Sequence, residues 1–156
     1  MPINSHRNRR NALTKILLKQ SDFEKILNHA RLEFPNEACG LIAGRDEKTA
    51  SGWKRTIEKV YLLSNMDQSN SHFSINPSEQ LQALKDMCAS GMKPLGNWHS
   101  HPETPAIPSG EDIRLAFDSG ASYLILSLQD ADAPVLCSYH IEGATVEKEA
   151  LTVLSE

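Results

Sequence analysis

The sequence predicts an α+β fold: a mixed β-sheet flanked by helices, in a single domain. Three observations lead there. The chain has 156 residues, enough for one ordinary core, whereas two separate cores would each be marginal. Apolar residues at helical spacing occur in short stretches that alternate with short apolar segments of strand character. The last third carries several strand candidates in a row, which a purely alternating βα order would not produce. No internal repeat or low-complexity linker divides the chain.

The elements follow in order. Residues 1–11, with Arg7, Arg9 and Arg10, read as a flexible basic arm ahead of a domain at 12–156. Residues 12–19 are apolar enough for a strand. Ser21 and Glu24 have capping-box spacing, and Phe23, Ile26, Leu27 and Ala30 supply the buried stripe of a first helix that Pro35 disfavours beyond Phe34. Residues 38–44 are small and apolar, a buried strand, and the charged stretch 45–48 reads as a turn into a second extended region at 53–63.

Asn76, Pro77 and Glu79 open a second helix, Leu81, Leu84 and Met87 mark its inner face, and Gly91 ends it. A strand at 95–100 runs into a proline-rich loop, after which Ser109 can cap a third helix reaching Phe117. Strands at 123–128, 135–141 and 145–154 complete the chain.

Composition narrows the function. A net charge of −4 gives no general attraction to phosphate backbones, so nucleic acid is not expected as a partner. No stretch approaches the roughly 20 apolar residues of a bilayer span, and the first residues are too polar for a signal peptide, so a soluble cytoplasmic protein is expected. Cys39, Cys88 and Cys137 are odd in number and set in apolar sequence, the pattern of buried thiols in a reducing compartment.

Chemistry concentrates in the segment GNWHSHPETPAIPSGED. On a strand, His99 and His101 share a face with their bases about 7 Å apart, so two imidazoles can converge on one ion. Ser100 points to the opposite face, with a structural role. Asp112 falls in the first turn of the third helix, where the macrodipole favours the carboxylate a cation needs. Three protein ligands would leave a fourth tetrahedral position open, the mark of a catalytic rather than a structural site. The donor set suits zinc better than magnesium or calcium and leaves iron open. By itself a H-x-H pair is a weak signal, and Asp112 has a structural explanation as a first-turn charge. His72, in SHFSIN, reads as a loop histidine.

The full spacing, His99-Ser100-His101, seven residues, Ser109, two residues, Asp112, resembles the signature H-[ST]-H-x7-S-x2-D of the JAB1/MPN/Mov34 metalloenzyme (JAMM) family. Asn36-Glu37-Ala38-Cys39-Gly40 resembles the family's upstream glutamate element, and the likeness extends over roughly residues 16–141. The resemblance implies the MPN fold and one Zn2+ per chain, held by His99, His101 and Asp112. It implies Glu37 as the general base toward water and Ser109 as the hydrogen-bond donor to the oxyanion. Residue chemistry alone does not single out Glu37 among the glutamates, and Ser109 has an equal role as helix cap.

What the resemblance implies for function is a zinc metallopeptidase of peptide or isopeptide bonds. The free-standing form is similar to bacterial peptidases that process the C-terminal Gly-Gly of a ubiquitin-like sulfur-carrier protein. Only ten residues separate Asp112 from Tyr123, little room for the extra loops of deubiquitinating relatives. A Gly-Gly tail can pass through a narrow groove and pair as a strand. The alternative is a noncatalytic MPN scaffold that binds partner proteins. A zinc deaminase is disfavoured because its H-x-E and P-C-x-x-C pair is incomplete, the P-C-x-x-C half being missing.

Overall fold

The computed structural model describes residues 13–156, so the basic arm expected at 1–11 lies outside the described residues. The element order is β1 (Leu13–Lys19), α1 (Gln20–Glu33), β2 (Cys39–Thr49), β3 (Gly52–Leu63), α2 (Pro77–Ala89), β4 (Lys93–His101), α3 (Gly110–Arg114), β5 (Ser122–Ser127), β6 (Val135–Glu142) and β7 (Thr145–Leu154). The sheet mixes parallel and antiparallel pairs, as expected, but it is not an open layer between helices. It closes into a barrel in the order β1-β3-β2-β4-β5-β6-β7, because β1 pairs in parallel with both β3 and β7. Among the described residues no helix is long and apolar enough to cross a membrane.

Several boundaries differ from expectation for identifiable reasons. The helix after β1 starts at Gln20 with Lys19 at its N-cap, and no capping box forms. The Ser21 hydroxyl instead donates to Glu156 Oε1 at 2.9 Å, and Glu24 accepts from Gln20 at 3.3 Å. The charged stretch 45–48 is not a turn; it continues β2, because its charges pair across the hairpin. Arg45 meets Glu58 at 2.8 Å, Arg55 meets Asp46 at 3.4 Å and Lys54 meets Glu47 at 3.5 Å. Helix α3 stops at Arg114, short of Phe117: Leu115 is 52% and Phe117 85% exposed, so no burial supports a further turn.

Helix α2 has the caps its sequence suggests. Asn76 accepts N–H bonds from Ser78 at 2.9 Å and Glu79 at 3.3 Å. At the other end Gly91 takes φ +68°, letting Met92 N–H reach Met87 O at 2.9 Å and Gly91 N–H reach Cys88 O at 3.2 Å. Its inner face differs: Ala83 and Met87 are buried against Leu41, Ala43 and Leu63, while Leu81 and Leu84 are exposed. Cys39 and Cys137 are buried as expected, but Cys88 is exposed.

Two of the apolar clusters place the central strands. Helix α1 buries Ile26 and Ala30 against Ile16, Leu18, Ile42, Trp98, Leu124 and Leu126. A second cluster gathers Tyr123, Ile125, Cys137, Tyr139 and Ile141 with Ala106 of the proline-rich loop. Successive residues of β5 alternate between the two, so this strand is buried throughout. Strand β4 lies between β2 and β5 and sends Trp98 into the first cluster, which leaves the histidines on either side of Ser100 to the opposite face.

Candidate metal centre

The site is assembled on the C-terminal end of β4, where His99 pairs with Cys39 on one side and Ile125 on the other. Flanking strands on both sides leave these side chains little freedom, and His99 and His101 are buried, at 3% and 4% exposure. Their Nε2 atoms lie 3.1 Å apart. Asp112 enters from α3, its Oδ2 at 3.2 Å from His99 Nε2 and 3.1 Å from His101 Nε2.

Position 112 is fixed by a complete capping box. Ser109 Oγ accepts the Asp112 N–H at 3.0 Å, and the Ser109 N–H donates to Asp112 Oδ2 at 2.9 Å. Capping uses a lone pair of the Ser109 oxygen and leaves its hydroxyl hydrogen for another acceptor, so cap and oxyanion donor do not compete for the same bond.

The imidazole of His101 has a settled tautomer. Its Nδ1 lies 2.8 Å from Pro105 O, a carbonyl that only accepts, so Nδ1 carries a proton and, whenever the ring is neutral, Nε2 presents its lone pair to the site. Phe73 stacks on His99 with centroids 4.7 Å apart and planes 25° from parallel. His72, next to it, stays out of the group and reaches Asp67 at 3.4 Å.

Electrostatics follow from this crowding. Burial opposes charge on Asp112, but bonds to His101 and His99 outweigh it and hold the carboxyl well below the usual range. Burial keeps His99 below its ordinary value, the neutral form that ligates metals. For His101 burial acts the same way, yet its bonds to Asp112 and Pro105 raise it. Glu37 precedes β2 and is 4% exposed, and its Oε1 is buried without a partner. Burial pushes its carboxyl up to about 7; His101 opposes that rise, and Asp112 and Glu111 add to it.

Three electron-rich atoms facing one another at 3.1 to 3.2 Å need a cation or shared protons between them. Tetrahedral bonds of 2.0–2.1 Å would set ligand atoms about 3.3 Å apart, so the donors fit a metal with little movement. Among the described residues this is the group of His, Cys, Asp or Glu side chains close enough to share an ion. A cavity of about 410 Å³ opens beside it, walled by Phe73, Asn97, Leu115, Tyr123 and Ile141.

Sequence reasoning thus named Glu37, His99, His101, Ser109 and Asp112, and the structure brings the two histidines and Asp112 into mutual contact, with Ser109 bonded to Asp112 and Glu37 within reach of their charges. It missed Phe73 and the Pro105 carbonyl. The proline-rich loop offered a signal for the second, since prolines carry carbonyls without competing N–H groups.

Comparison with known proteins agrees with this geometry. The chain is 28% identical to a CysO-cysteine peptidase of Mycobacterium tuberculosis over 95% of its length and 97% of the relative's. It is 31% identical to a desampylase of Haloferax volcanii over 67% of its length and 74% of the relative's. A solved solution structure from Desulfitobacterium hafniense matches with a TM-score of 0.80 and 49% identity, covering 90% of this chain and 94% of that one. A family described as prokaryotic homologues of the JAB domain matches residues 19–141, and the chain belongs to that family.

Proposed function

We propose that this protein is a zinc-dependent metallopeptidase that hydrolyses a peptide or isopeptide bond at the C-terminal Gly-Gly of a ubiquitin-like sulfur-carrier protein. The observation that carries the reading is the convergence of His99 Nε2, His101 Nε2 and Asp112 Oδ2 within 3.2 Å of one another, beside a buried carboxylate. Family membership and the relatives, a CysO-cysteine peptidase and a desampylase, support it.

His99, His101 and Asp112 would hold the zinc, which supplies Lewis-acid chemistry, drawing the pKa of water toward about 7 and polarising a carbonyl. Glu37 takes a proton from the attacking water and passes it to the leaving nitrogen as the C–N bond breaks, giving a carboxylate and an amine. Burial raises that carboxyl to about 7 in the metal-free site and a bound cation opposes the rise, leaving a group that can accept and return a proton on the acid side of neutrality. Ser109 donates its free hydroxyl hydrogen to the carbonyl oxygen as negative charge gathers there. Because the sheet is closed, a substrate tail would pair with the loops that rim the site, not with an open strand edge.

The test compares a folded Gly-Gly carrier bearing a C-terminal extension with an unrelated peptide of the same terminal sequence, products being weighed by mass spectrometry. Selective cleavage of the folded carrier after Gly-Gly is expected. Equal cleavage of both removes the carrier body from recognition, and cleavage of neither removes the assignment.

A further inference from the structure

The segment between β3 and α2 lines the cavity with Phe73 and bonds to the backbone of Glu37. Its residues 66–72 are mostly exposed and polar, so apolar packing does little to hold it. A backbone bridge between Asn65 and Ile75 and the Met66 N–H to Ser74 O bond at 2.9 Å close its base, and the carboxamide of Asn65, a buried residue at 8% exposure, ties that base to the site. Nδ2 donates to Glu37 O at 3.0 Å and to His72 O at 3.1 Å. Oδ1 accepts the N–H groups of Asp67 and Ser74, each at 3.0 Å. All four bonding positions of the amide are occupied, and two carbonyl partners against two N–H partners leave its orientation unambiguous.

Those bonds converge on the chemistry. The Glu37 N–H donates to Ser69 O at 2.7 Å, so both backbone polar groups of Glu37 are held by this one segment. His72 and Ser74, two of the three other anchor points, flank Phe73, whose ring lies against His99. A single side chain therefore ties the backbone of the carboxylate residue to the ring that packs on a histidine of the metal group.

We propose that Asn65 is a positioning residue: it sets Glu37 relative to the His99–His101–Asp112 group by clamping the loop that carries Phe73. This rests on the peptidase reading for its kinetic consequence, but the clamp itself can be observed without turnover. Misplacing a catalytic group by about 1 Å can cost on the order of 10²-fold in rate, so loss of a clamp reads chiefly in kcat.

The experiment uses Asn65→Asp, which keeps the two acceptor bonds but loses both donors, and Asn65→Ala, which removes donors and acceptor without adding charge. Ser138→Ala, which removes a buried hydrogen bond to Glu149 between β6 and β7 and lies outside the clamp, controls for a general loss of stability. In zinc-loaded enzyme the Asn65 variants are expected to lose kcat about tenfold or more, with KM within about threefold and zinc stoichiometry unchanged. The control should keep kcat within about twofold at a comparable fall in Tm. By NMR, hydrogen exchange at the Glu37 amide should quicken about tenfold or more in the Asn65 variants but not in the control. Unchanged exchange at Glu37, or quickened exchange with kcat within twofold of wild type, overturns the proposal. Wild-type protein without turnover on any carrier would remove the peptidase reading, and the exchange result would then decide the clamp alone.

Discussion

Ser100→Ala should damage this protein out of proportion to the atom removed. Ser100 and Ala38 are 0% and 1% exposed and bond to each other in both directions: Ala38 N–H to Ser100 Oγ at 2.8 Å, and Ser100 N–H to Ala38 O at 2.9 Å. Deleting the hydroxyl leaves the Ala38 N–H buried without a partner, a loss of about 1–3 kcal/mol, taken as about 2. For a chain of this size each kcal/mol shifts Tm by about 2–4 °C, so a fall of about 4–8 °C is expected in calorimetry of the metal-free protein. The same joint connects the residue after Glu37 to the residue between the two histidines, so kcat should also fall, by about tenfold. A Tm within about 1 °C of wild type would refute the energetic argument. A lowered Tm with unchanged kcat would refute the idea that this joint sets the distance between base and metal group.

Other outcomes follow from the same geometry. Metal analysis should find one zinc per chain, lost with activity on His101→Ala or chelation; protein active without metal would contradict the site. Glu37→Gln should retain zinc while turnover drops by about 10²-fold or more, and a loss within about threefold would remove Glu37 as base. Burial pushes the carboxyl of Glu37 up to about 7 in the metal-free site, a bound cation draws it lower, and only its ionised form accepts a proton, so activity should fall with pH on the acid side of neutrality, and that limb should vanish in Glu37→Gln. An activity rising steadily toward about pH 4 would contradict this reading. Gly40→Ala should unfold or severely destabilise the chain, because a Cβ there would lie 1.8 Å from Tyr61 O and 2.3 Å from Trp98 Nε1, and a soluble variant with native Tm would disprove the clash.

How much of this was legible depends on how local each signal is. The caps of α2 and the bounds of β7 are local matters of residue type and alternation, and both were readable. Barrel closure was not: the parallel pairing of β1 with β7 joins segments far apart in the chain, and nothing in either strand names its partner. The charged half of β2 looked like a turn because its partners, Lys54, Arg55 and Glu58, lie on the next strand. In the site, His99, His101 and Asp112 stood out from spacing as candidates and became a ligand set through resemblance, whereas Glu37 emerged only through resemblance, since the bonds that hold its backbone come from the returning loop at 65–75. Asn65 and Phe73 were invisible for the same reason, an asparagine after a strand being ordinary turn chemistry until its four partners are known.

The position of β1 between β3 and β7 has a consequence for synthesis. Every residue of the candidate site, from Glu37 to Asp112, leaves the ribosome before β7 does. Until residues 145–154 emerge, β1 has a neighbour on one side only and offers its other edge to any passing strand. The protein is therefore most open to mispairing at a stage when its metal-site residues are already made, and the arrival of its last strand ends that exposure.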